Sequence, residues 1–289
     1  MQQHFVPQVY LRQWCDQHGQ LILYCRVGPP GAPTLRHYPK FPSQVFREDD
    51  LYSLPEGGIA NGRRGDEVEN LLGRKIEESL SSIIAACDGR SRLLDSRASD
   101  QVKWLMQTFV ARSPSCLAAI EAEMVAWSAQ HEPMIRRTLE RLRTPKFEAE
   151  LAQYMDPRFP SVAARAGLAG IAETEQVPMP GWYDGQVQVL RAESVRPMLN
   201  SLGIDHFVTF EEPVMHWDSN AVGLIASFSL SPDLLAFVLE KPCEEDWPLA
   251  LRHLVYSLRH RSRAICRSTA INGLWLAQAQ HLVPWIPPQ

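Results

Sequence analysis

The residues able to do acid–base, metal or anion chemistry fall at a few places in the chain. His4 stands first, in "QQHFVPQVYLRQW". A histidine titrates near neutrality and can serve as general acid, general base or metal ligand. Pro7 stiffens the backbone beside it, and Tyr10 and Leu11 are apolar anchors, so the segment can hold His4 rigidly. The competing reading is a structural histidine that locks the N-terminus. Glu69 and Glu77 come next, eight residues apart, a little over two helical turns, and so near one face. With Glu67 and Glu78 they offer carboxylates for a metal or for proton transfer, or else a solvated helix face. Arg112 ends an apolar helix just before Ser113-Pro114. A guanidinium pointing inward must be paired, with Glu69, with Glu77 or with a substrate phosphate.

Two later stretches complete the set. "HFVTFEEPVMHW" holds His206, Thr209, Glu211, Glu212 and His216. Thr209 and Glu211 fall on one side of a strand and can face a cleft together. Histidine and carboxylate suit zinc or manganese, but the spacing matches no established metal motif, so a divalent metal stays an open possibility. "RHLVYSLRHRSRAICR" is the one dense basic run. Read as helix, it puts Arg263 and Arg267 one turn apart, with Arg259 and His260 before them. That face can meet the phosphates of a nucleotide or nucleic acid, or simply be solvated. No Gly-x-Ser-x-Gly, His-Glu-x-x-His or Gly-x-x-x-x-Gly-Lys occurs, so nothing supports an α/β-hydrolase, a zinc protease or a P-loop enzyme.

These residues need elements to position them. After Gly19, "QLILYCRV" is rich in β-formers, and "TLRHYPKF" can return from the turn "GPPGAP", which predicts an N-terminal hairpin. From Asp66, apolar residues at 68, 71, 72, 76, 80, 83 and 84 predict a long helix with an acidic first turn. A second helix is expected from an N-cap at Ser99 to Ala111, with Pro114 kinking it or dividing it from "CLAAIEAEMVAWSAQ". Helical segments continue through "EPMIRRTLERLR" and "KFEAELAQYM". "VPMPGWYDG" reads as loop, and residues 186–203 as helix stopped at Gly203. "DHFVTF", "AVGLIASFSLS" and "LLAFVLE" read as strands, the run 246–280 as helix in two pieces, and "HLVPWIPPQ" as an extended end. The expected fold is therefore α+β: a mainly helical central body, an N-terminal β-hairpin and a small C-terminal antiparallel sheet. One interwoven domain over residues 1–289 is expected, with a boundary near 180 as the alternative.

Composition narrows the class. Of 289 residues, 45% are hydrophobic, enough for a large core, and the net charge of -4 gives no global pull toward nucleic acid or an anionic membrane. No apolar run is long enough to span a bilayer, and "MQQHFVPQ" has no signal-peptide pattern, so a soluble cytoplasmic protein is expected. The six cysteines form no Cys-x-x-Cys pair, and free, mostly buried thiols are expected.

Several stretches in order, "QHFVPQVYLRQW", "LILYCR", "FREDDLY", "FVARSPS", "FVTFEEPV", "SFSLSPDLL" and "INGLWLAQAQHLV", resemble the bacterial family called domain of unknown function 4238. That family tends to open with Gln-His-x-Val-Pro-x-x-Tyr-Leu. It carries Arg-Thr/Ser-Pro on a central helix, then Thr-Ser-Asp-Asn-Pro-Val and a Leu-Ser-Pro strand. Here Thr209, Phe210, Glu211, Glu212 and Pro213 stand where the family has Thr-Ser-Asp-Asn-Pro, so Glu211 would replace an aspartate. The resemblance implies an architecture and no activity.

Two functions fit. In the first, His4, Glu69 or Glu77, Arg112, Thr209 and Glu211 converge on one open pocket for hydrolytic or phosphoryl chemistry on a nucleotide or nucleic acid, as in an effector, toxin or phage-defence protein. In the second, the same residues form a structural network in a protein-interaction or regulatory module. The long helices and tryptophans such as Trp182, Trp217, Trp247 and Trp285 then supply a partner face. Either way, the opening segment is expected to fold back on the central helices and bring His4 near Arg112.

Overall fold

A computed structural model describes residues 2–27, 34–49, 51, 65–87, 92–142, 156, 159–161, 163–165, 167, 185–201, 203–216, 224–241, 249–254 and 263–267. The chain is α+β, as expected. Strand β1 (Gln2–His4) pairs antiparallel with β4 (Arg47–Asp49). The short helix α1 (Gln8–Leu11) starts directly after Pro7, whose fixed φ suits a helix entrance. The N-terminal hairpin forms from β2 (Leu21–Val27) and β3 (Thr34–Lys40). The helical body follows: α2 (Gly65–Cys87), α3 (Ser96–Ala111) and α4 (Pro114–Leu142).

Pro114 divides α3 from α4, as the sequence allowed. Proline at the first position of a helix needs no N–H partner, and Ser113 caps the new helix, its Oγ accepting from the Cys116 N–H at 3.2 Å. The start of α3 lies earlier than Ser99. Asp95 is the N-cap, accepting from the Ala98 N–H at 2.8 Å, because a carboxylate there also meets the positive end of the helix dipole.

Two segments expected to be helical are strands. Gln186–Arg191 is β5, pairing along its whole length with β9 (Leu234–Leu239). Its Gln-Val-Gln-Val alternation is a period of two, and the β-branched valines prefer extended backbone. The helix α5 (Arg196–Ser201) begins only after it, and Gly203, at φ 74°, supplies the expected stop. Arg263–Cys266 is β10, lying between β2 and β6 (Thr209–Phe210). Only residues 249–254 of the run expected to be helical are described as helix. The elements expected over 28–33, 146–155, 177–184 and 268–289 fall outside the described residues.

The sheets divide the core. One has the order β3-β2-β10-β6, which joins the N-terminal hairpin to a strand from late in the chain. The other, β5-β9-β8-β7, is formed with β7 (Val214–His216) and β8 (Leu224–Ser231) and is antiparallel throughout. Strand β9 shows the division. Leu234, Ala236 and Val238 face the cluster that also holds Tyr10, Ile76, Leu105 and Phe109. Leu235, Phe237 and Leu239 face a second cluster with Leu199, Phe207, Phe210 and Leu254. A strand buried on both faces is apolar at every position, which is why "LLAFVL" does not alternate in sequence. Among the described residues no helix is long and apolar enough to cross a membrane. Cys15, Cys25, Cys87, Cys116 and Cys266 are free thiols; Cys87 and Cys266 are buried and the other three half-buried.

Candidate functional site

The opening segment packs where the expectation put it. His4 ends β1, and the next residue, Phe5, donates its N–H to the Phe46 carbonyl at 3.1 Å. Phe46 sits at φ 51°, a left-handed conformation that costs a bulky side chain free energy. Its ring packs against Phe5, and Arg263 lies over it at 5.3 Å. Arg112, 1% exposed, caps the C-terminus of α3 and donates from Nη2 to the His4 main-chain carbonyl at 2.5 Å. The contact is to the peptide group, not the imidazole. His4 itself is 8% exposed.

Tyr10, from α1, is fully buried and continues the network. Its hydroxyl donates to the Ser229 carbonyl at 2.6 Å and lies 2.6 Å from Thr209 Oγ1. A phenol has one proton, so Thr209 donates to Tyr10. Burial pushes the Tyr10 phenol well above its ordinary pKa, against the smaller opposing effect of the Thr209 bond. The ring lies between Trp14, Phe109 and Phe228, at centroid distances of 4.8, 4.8 and 5.3 Å. Trp14 donates to the Phe207 carbonyl at 3.0 Å. The first fourteen residues are thus tied through His4, Tyr10 and Trp14 to the end of α3, to Phe207 and Thr209, and to β8.

The segment after Thr209 divides its two glutamates. Glu211 Oε2 meets Arg263 Nε at 3.3 Å at the edge of the sheet. Glu212 accepts from Ser115, which also lies 3.2 Å from Ser113 of the Arg-Ser-Pro turn. So Thr209 faces inward to Tyr10, while Glu211 lies at the rim.

The remaining sequence-derived residues do not gather at one place. Glu77 is exposed on α2, and the side chain of Glu69 lies outside the described residues, as do Arg259 and His260. Arg263 and Arg267 are not a helical turn apart, since β10 is extended there and carries Arg263 on its exposed end. The N–H of Arg267 donates to His206 Nε2 at 2.9 Å, and His206 Nδ1 contacts Asp205, which fixes the ring with its proton on Nδ1. Among the described residues no three His, Cys, Asp or Glu side chains group as metal ligands do.

One polar site went unassigned in the sequence. His253, fully buried, has Nδ1 2.7 Å from Ser227 Oγ and Nε2 3.4 Å from Ser229 Oγ. Ser229 donates its proton to the Val208 carbonyl at 2.7 Å, so it accepts from Nε2–H, and Ser227 donates to Nδ1. Desolvation lowers the His253 pKa to about 3, so the ring is neutral. The signal was present: Ser227 and Ser229 are two apart on one strand face, and Leu249, Ala250, His253 and Leu254 share a helical face.

No curated protein and no solved structure matches the chain. Residues 2–243 do match a family described as "Protein of unknown function (DUF4238)", a span that takes in the N-terminal segment, the Arg-Ser-Pro turn and the Thr209–Pro213 segment. The chain therefore belongs to the DUF4238 family.

Proposed function

We propose that this chain is a non-enzymatic protein-interaction or regulatory module of the cytoplasm, in which His4, Arg112 and Thr209 are structural. The carrying observation is the guanidinium of Arg112, sealed at 1% exposure and bonded to the His4 carbonyl. A phosphate-holding arginine must reach its ligand, and a general base must reach a substrate proton. Thr209, at 0% exposure, is engaged by Tyr10. Support for a partner face comes from α4, on which the exposed Trp127 and Met134 lie two turns apart on one side. Hydrolytic or phosphoryl chemistry at these residues would need a cleft that opens onto them.

The test is thermal unfolding of wild type, His4→Ala and Arg112→Ala, each with and without nucleotides, RNA, DNA and divalent metals. The expected result is a lower midpoint for both variants and no ligand shift for any protein. A ligand that stabilises wild type but not His4→Ala, where His4→Ala alone melts as wild type does, overturns the reading in favour of an enzyme.

A further inference from the structure

Leu117 and Ile120 root the long helix α4 in the core, and beyond them one stripe of the helix is exposed. The stripe is centred on Gln130. Residues three, four and seven apart share a side of a helix. Trp127 and Met134, 45% and 58% exposed, stand on one flank of Gln130, and the exposed Ala126 and Pro133 stand on the other. Exposed Glu123 and Arg137 end the stripe, seven residues to either side of Gln130. Trp127 is held in place. Its ring stacks on His131 at a centroid distance of 4.4 Å, and His131 donates from Nδ1 to the Trp127 carbonyl at 2.8 Å. An exposed indole already fixed on its helix suits an interface anchor, because it has little freedom left to lose.

The order of these residues identifies the occupant. A twofold axis through Gln130, at right angles to the helix, lays a second α4 antiparallel on the first. Each residue then meets its complement. Glu123 faces the partner's Arg137, and Trp127 faces the partner's Met134, a favourable contact of aromatic ring and thioether. Ala126 leaves room for the ring of the partner's Pro133. The two Gln130 carboxamides meet on the axis, where each can donate to the other. Parallel pairing would instead set glutamate beside glutamate and arginine beside arginine. An unrelated partner would not require the stripe to complement itself; a twofold interface does.

We propose that α4 pairs antiparallel with α4 of a second copy of this chain, with Trp127 and Met134 as anchors and Gln130 on the twofold axis. This rests on the interaction-module reading above and names the partner.

The experiment is sedimentation equilibrium of the full chain from roughly 1 to 100 μM. Wild type should pass from monomer to dimer. Trp127→Ala should weaken the dimer about tenfold or more, with an unchanged monomer melting temperature, since the side chain is exposed. Glu123→Arg and Arg137→Glu should each weaken it about fivefold, and the double swap Glu123→Arg/Arg137→Glu should restore it, because the antiparallel pairs are then only reversed in sign. Under mild oxidation Gln130→Cys should cross-link to its own copy beyond the wild-type background. Glu123→Cys should not, since 14 residues of helix put it about 20 Å from its copy. The proposal is overturned if Trp127→Ala associates like wild type, if the double swap is as weak as the single reversals, or if Glu123→Cys cross-links as readily as Gln130→Cys. A wild type that stays monomeric throughout also overturns the dimer, and leaves the interaction reading to be decided by the ligand melts above.

Discussion

At the scale of single residues, the polar groups of the interior act in small closed circuits. The Tyr10 hydroxyl stands between Thr209 and the Ser229 carbonyl, so Tyr10→Phe leaves two buried groups short of a partner. We expect a loss of about 1–3 kcal/mol, measured by urea denaturation. A double-mutant cycle with Thr209→Val should recover part of it, since removing both partners leaves less unsatisfied. His253 gives a pH signature. Its folded pKa of about 3 lies below the ordinary value near 6.5, so the unfolded chain binds the proton first. Stability is then full above about pH 6.5 and falls as the pH drops toward 3, by on the order of 5 kcal/mol in all. Unfolding free energies of wild type and His253→Gln across pH 3–8 check this: the substituted chain should lose the slope between pH 4 and 6.5. An equal slope in both proteins would show that His253 does not carry it.

At the scale of elements, close approaches decide which substitutions the chain tolerates. Gly185 enters β5 where a Cβ would stand 2.5 Å from Val238 Cγ1 and 3.1 Å from Ile225 Cδ1. A valine in a packed strand cannot swing away, so Gly185→Ala should destabilise by about 1–3 kcal/mol, read as a lower midpoint in a thermal melt. Ser113 caps α4, and Ser113→Ala should cost about 1 kcal/mol by the same measurement. The long helices were legible because an apolar repeat of three and four is unmistakable over many residues, as from Leu72 through Ile76 and Leu80 to Ile83. Strands β5 and β10 were not legible. Leu190 and Arg191 run on into a helical turn, and "RAIC" follows a helical run with no glycine or proline between. In β5 the helical continuation masks the period of two in Gln-Val-Gln-Val, and pairing with β9 decides for the strand; what makes β10 a strand is pairing with β2 and β6, which no local pattern records. The meeting of His4 with Arg112 could be read from a stiffened N-terminus and an arginine that needed a partner. The circuit of His253 left only two separate signals, a pair of serines on one strand face and a histidine on an apolar helical face, and nothing local joins them until the fold brings them together.

At the scale of the whole molecule, the sheet β3-β2-β10-β6 draws on both ends of the chain. The family match stops at residue 243, but β10 begins at Arg263 and fills the place between β2 and β6. A chain ended after residue 243 should therefore lose cooperative unfolding, tested by comparing its melt with that of the full chain; a sharp transition at the wild-type midpoint would show β10 to be dispensable. The same strand has a bearing on synthesis. The ribosome delivers β2 about 240 residues before its central neighbour, a wait of roughly 10–50 s at ordinary elongation rates. Through that interval one edge of the nascent hairpin offers unsatisfied peptide groups to any passing chain. A strand made late thus closes a surface that an early one opened, and the cell must shelter the half-made protein until it does.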